Sequence, residues 1–199
     1  MCFIAESSEQ EMVAVFLQGE LQSARWRDQL LALLARDQQP LSIVAQPNLA
    51  CEAENSYRMR LLGDYRGYRQ KRALFEDFPD KVHWQHVGLT RSELFQAKYI
   101  DYDYWMQLSQ GTRLAPDAAK TINAGKRIFQ VPNDDFQRLA QELRAGAAVP
   151  EIILVRSGEG AGLVVLEGHV RLTAYALAPE AVPAELRVLL GTAPEFVSW

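Results

Sequence analysis

Val165-Leu166-Glu167-Gly168-His169-Val170-Arg171-Leu172-Thr173-Ala174-Tyr175 is the stretch on which the fold of this 199-residue chain turns. An apolar run stops at a glycine, and helical periodicity begins at Val170, so a buried strand passes directly into a helix. Gly168 lets a ligand or another backbone approach closely, and the first free N–H groups of the helix, with their partial positive charge, make an anion site. Arg171, in the first turn, adds a forked donor suited to phosphate. Glu167 is a candidate metal ligand or base, and His169 a second candidate beside the reacting centre. A purely structural account of the same residues makes Gly168 the relief of a tight turn, Arg171 a surface salt-bridge partner and His169 a cap.

Working outward, Ile152-Ile153-Leu154-Val155 and Leu163-Val164-Val165-Leu166 are continuous apolar runs joined by the glycine-rich 157–162. They read as two buried strands in a hairpin. The glycine-rich stretch lacks a Gly-Lys-Ser/Thr ending and leads into a strand, so it is a turn and not a phosphate loop. With a helix over 170–178 and a third strand over 186–190, the C-terminal third reads β, β, α, β. Two helices precede it, 116–124 with a leading Pro and a trailing Gly125, and 133–145 closed by Gly146. At the other end, apolar residues at helical spacing from Val13 to Leu34 predict one long amphipathic helix over 9–36, stopped near Pro40. The stretch 46–79 reads as loop with short helical turns. His83 to Val87 alternates as a strand does, and Thr90 with Glu93 has capping-box spacing. The run 99–105 is ambiguous between strand and helix.

Composition bounds the rest. With 48% apolar and 23% charged residues and a net charge of −4, the chain is ordinary globular protein, and disordered, collagen-like and fibrous classes are excluded. No apolar run approaches the roughly 20 residues of a membrane span, and a cytoplasmic protein with no membrane partner is expected. Cys2 and Cys51 lie far apart and form neither a disulfide framework nor a cysteine zinc site.

The segment 148–191 resembles the core of the ParB/sulfiredoxin-like superfamily. Pro150-Glu151-Ile152-Ile153-Leu154-Val155 matches its first strand, Gly168-His169-Val170-Arg171 its Gly-x-x-Arg turn, Ala174 the small helix residue, and Val182-Pro183-Ala184-Glu185-Leu186-Arg187-Val188 the returning strand. The resemblance implies a nucleoside triphosphate, ATP or CTP, held around Gly168, Val170, Arg171 and Thr173, and a phosphotransferase- or nucleotidase-like activity. The turn has no cysteine, which disfavours sulfiredoxin chemistry. His169 and Val170 replace the Glu-Arg usual between the glycine and the last arginine of a ParB turn. Eight residues follow Gly191, so no helix-turn-helix reader of DNA is expected.

Three further features lie outside that segment. Asp101 and Asp103 would share a face of an extended chain, where paired carboxylates could hold Mg²⁺, and Arg113 could meet phosphate oxygens. The bland reading makes them helix caps beside packed aromatics. His83 and His86 would point to opposite faces of a strand, which argues against a zinc site. Between residues 57 and 72, Arg58, Arg60, Arg66, Arg69, Lys71 and Arg72 face the single acid Asp64, interleaved with Tyr57, Tyr65 and Tyr68. That pattern suits a nucleic-acid backbone with stacked bases, or the phosphates of a nucleotide held by the C-terminal core; the favoured account is a solvated loop neutralised by Glu52, Glu54, Glu76 and Asp77. The expected fold is α+β, a helical N-terminal part over 1–80 packed on a small mixed-sheet core over 81–199. Nucleotide binding is the leading function; a non-catalytic nucleic-acid- or protein-binding module is the alternative.

Overall fold

The two continuous apolar runs become adjacent antiparallel strands, β3 (Ile153–Arg156) and β4 (Val164–Glu167), in a computed structural model that describes residues 1–199. β5 (Leu186–Thr192) lies parallel to β3 on its other side. Parallel neighbours need a crossover connection between them, and β4 followed by α9 (His169–Leu177) supplies it. β2 (His83–Leu89) pairs antiparallel with β5, and β1 (Cys2–Glu6) forms the outer edge, giving the order β1-β2-β5-β3-β4. The protein is thus a mixed α+β fold with helices packed on a small sheet.

Both faces of the sheet are covered, which explains why β3 and β4 show no alternation. Ile153, Val155, Leu166 and Leu189 face a core built from α1 (Glu9–Leu21), α2 (Arg27–Arg36), α3 (Ser42–Ala45) and α4 (Glu52–Arg66). Ile152, Leu154, Val165 and Leu190 face a second core. That one contains residues of α5 (Arg91–Leu94), α6 (Asp103–Leu108), α7 (Ala115–Asn123), α8 (Asp134–Arg144) and α9. The apolar residues of β3 and β4 are buried whichever way they point. No helix is long and apolar enough to cross a membrane.

Several local expectations hold. Thr90 and Glu93 form a complete capping box on α5, Pro116 stands in the first turn of α7, and left-handed Gly125 and Gly146 follow α7 and α8. The expected single helix over 9–36 is instead two, α1 and α2. Between Leu21 and Leu30 the chain has two turns' length in which only Ala24 and Trp26 are apolar. The helix stops there, and Trp26 turns back to meet the edge of Tyr65 at 5.8 Å.

The larger correction is α4, fifteen residues long where loop was expected. Its inner stripe is Tyr57, Arg58, Leu61, Leu62 and Tyr65. One position of that stripe is an arginine, which hides the period. Arg58 is fully buried, donating to the carbonyls of Ile43 and Asn48 and to Glu54 and Asn55. Gly67 closes α4 at φ +86°, so it is a cap and not a loop residue.

Candidate functional site

β4 ends at Glu167, and Gly168 turns the chain into α9 with φ +105°, a conformation that favours glycine. No side chain caps α9, so its first N–H groups are left for an external acceptor. Arg171 folds back one turn, and its Nη2 donates to Glu167 Oε1 at 2.9 Å. Its Nε, buried, has no partner.

A second ion pair abuts the first. Glu20, at the end of α1, is 2% exposed; it binds the Arg66 guanidinium and accepts the Tyr65 hydroxyl at 2.8 Å. Gly19 lets the end of α1 lie against the Glu167–Arg171 pair, since a Cβ there would stand 2.6 Å from Glu167 Oε1 and 2.9 Å from both Arg171 Nη atoms. Burial, reinforced by repulsion from Glu167, pushes the Glu20 carboxyl up to about 7 against the pull of Arg66, Tyr65 and Arg171. Burial also raises the Tyr65 phenol far above its usual range.

His169 lies flat against Trp105, centroids 5.1 Å apart, with Tyr99 6.0 Å away in a near-parallel plane. Burial, then the positive charges of Arg66 and Arg171, lower it to about 3. An imidazole lowered in this way stays neutral near neutral pH, and His169 forms part of the cleft wall. Its Nε2 is buried without a partner.

These groups line one cleft of about 1220 Å³ between the N-terminal helices and α9. Its floor carries Glu20, Arg66, Glu167 and Arg171; its walls include Leu21, Trp26, Ile100, Trp105, Leu139 and Val149. Large apolar walls around a few convergent polar groups are the usual build of a small-molecule site. A second hollow of about 550 Å³ lies between Glu9, Arg69, Asp80 and His83, but Arg69 is already paired with Glu9 and Asp80.

Of the expected site residues, the fold brings Glu167, Gly168, His169, Val170, Arg171 and Asp101 to this cleft. Thr173 is not among them: it is fully buried beneath α9, bonding the His169 carbonyl and the Tyr99 hydroxyl, each at 2.7 Å. Arg113 does not line the cleft either; its Nε donates to the Tyr99 carbonyl at 2.6 Å, and its Nη2 is buried without a partner. Asp101 is exposed on the cleft, whereas Asp103 opens α6, and no group of three or more His, Cys, Asp or Glu side chains converges as metal ligands would.

Part of the basic segment is used within the fold, while Arg60 and Lys71 remain exposed. Arg58 and the rings of Tyr57, Tyr65 and Tyr68 are in the core, Arg66 binds Glu20, and Arg72 bonds the carbonyls of Gly63 and Asp64. Buried tyrosines have no face free to stack on bases. Glu20 is the site residue that sequence reasoning missed, while Arg66 was read only as one of a basic patch. The available signal was an acid three residues beyond Leu17 and four beyond Phe16, on the stripe that should be apolar.

Comparison with protein-family models, curated proteins and solved structures finds no match to this chain.

Proposed function

We propose that the cleft binds a nucleoside triphosphate, ATP or CTP, with its phosphates on the Gly168–Arg171 turn and its base against the aromatic wall. The observation that carries this reading is the uncapped α9 N-terminus, entered through a left-handed glycine, with two guanidiniums on the floor beside it. A nucleotide phosphate would meet the α9 N–H groups, and the unpartnered Arg171 Nε marks a donor whose hydrogen-bonding capacity the free protein leaves unused. The order β3, β4, glycine turn, α9 and β5 follows the series of elements on which the resemblance to the ParB/sulfiredoxin-like superfamily rests, which supports the same reading. Mg²⁺ would arrive on the triphosphate, and Asp101 is one of the carboxylates lining the cleft, with Glu76, Asp77, Asp135 and Glu142, that would be available to share it.

Thermal shift with ATP, CTP, GTP and UTP, each with and without Mg²⁺, tests the reading. A nucleotide at 100 times its Kd should add about 2.7 kcal/mol of stability, a rise of a few degrees. Val170→Glu, which puts a carboxylate on the exposed first turn of α9 without touching the core, should abolish the rise while leaving the ligand-free midpoint nearly unchanged. Arg171→Ala should weaken binding by roughly 1.5–3 kcal/mol, the scale of a charged hydrogen bond. No shift with any nucleotide in the wild type would defeat the assignment.

A further inference from the structure

We propose that the cleft floor takes up its anionic ligand together with one proton, and that Glu20 is the residue that receives it. The inference rests on the reading of the cleft as a phosphate site and concerns how that site is regulated.

The floor holds two carboxylates and two guanidiniums, so with both acids ionised its net charge is zero. Gly19 brings the end of α1 against the Glu167–Arg171 pair, and Glu20, the next residue, has almost no access to water. Adding a phosphate to the α9 N-terminus brings negative charge against a floor that is already balanced, in a place where charges are weakly screened. The imbalance is relieved when one carboxylate becomes a carboxylic acid. That frees one guanidinium to face the ligand.

The groups facing Glu20 decide which acid this is. Arg66 and Tyr65 meet it from α4, Glu167 from β4 and Arg171 from α9, while His169 stands beside both arginines. Tyr65 and His169 do not change charge near neutrality, since burial holds the phenol protonated and the imidazole neutral. Glu20 is the more buried carboxylate, 2% against 18% for the Glu167 side chain, and its ionised form already meets the Glu167 charge. Burial and that repulsion bring its titration to about 7 in the free protein, so the ligand needs to shift it only modestly. The balance is simple: solvent supplies one proton, a Glu20 oxygen gains an O–H bond, and no other bond changes.

The experiment is isothermal titration calorimetry of the triphosphate that gives the thermal shift, with saturating Mg²⁺, in buffers of different ionisation enthalpy at several values between about pH 6 and 9. In the wild type the heat should report uptake approaching one proton per nucleotide on the alkaline side, with Kd weakening about tenfold per pH unit there. Glu20→Gln, nearly isosteric, should remove the uptake and hold Kd flat, which also separates Glu20 from any proton carried by the triphosphate itself. Tyr65→Phe deletes a hydrogen bond to the ionised form, so it should move the pH profile upward without abolishing it. Binding without proton uptake, or uptake that survives in Glu20→Gln, overturns the inference while leaving the nucleotide assignment intact. Absence of binding at every pH in wild type and variants defeats the assignment and the inference together.

Discussion

Glu20 and His169, neighbours across one cleft floor, pull the stability of the protein in opposite directions with pH. His169 titrates near 6.5 when unfolded and near 3 when folded, so its contribution is complete above 6.5 and is lost as pH falls below that value. Glu20 runs from 4.5 up to about 7, so the folded state holds a proton that the unfolded chain lacks, and its contribution is lost as pH rises from 4.5 towards 7. Between 4.5 and 6.5 the two slopes oppose and the wild type should be nearly flat. Single variants should unmask them: Glu20→Gln should lose stability on acidification from 6.5, and His169→Gln should gain it from 7 down to 4.5. Each slope amounts to on the order of 3 kcal/mol at the far end of its window. Urea unfolding at a series of pH values reads both; a Glu20→Gln profile as flat as the wild type would contradict the burial assigned to His169. Neither residue's role is legible in sequence, because a raised or lowered pKa is set by burial and by charges brought from other elements.

At the scale of elements, sequence and structure part company at α4. Its caps, Gly67 above all, were visible as loop residues, and the buried Arg58 broke the apolar period by which a helix is found. Once α4 forms, Arg58 becomes the pin that fastens α3 and residues 46–51 to it through the Ile43 and Asn48 carbonyls. Arg58→Met keeps the stem's bulk but leaves those acceptors unpaired. The expected cost is about 3 kcal/mol, seen as a lower urea midpoint with unchanged slope. A variant as stable as the wild type would show that water satisfies these carbonyls instead. The elements around Gly168 were far more legible: two apolar runs, a glycine and a helical period occur in series, and β3, β4, α9 and β5 lie within a residue or two of where that series puts them. Local signals sufficed there because each element carries its own start or stop.

For the whole molecule, the division of the chain into residues 1–80 and 81–199 is crossed by the sheet itself. β1 from the N-terminal end pairs with β2, and one face of β3, β4 and β5 is covered chiefly by the N-terminal helices, joined by Phe196 and Trp199 from the C-terminal end. A fragment of residues 81–199 should therefore expose Ile153, Val155, Leu166 and Leu189 and fail to unfold cooperatively, whereas the whole chain should show one transition. A fragment that melts sharply would instead make the core self-sufficient. By itself, the sequence determined the α+β class, the strand–glycine–helix turn and the arginine one turn beyond it, because spacing, glycine placement and apolar runs are properties of neighbours along the chain. Only the tertiary structure decided that α1 delivers Glu20 to that turn, that Arg66 leaves a basic segment to meet it, and that Thr173 and Arg113 are turned away from the cleft. Those outcomes depend on contacts between residues tens of positions apart, whose burial and electrostatics exist only once the two helical layers close on the sheet.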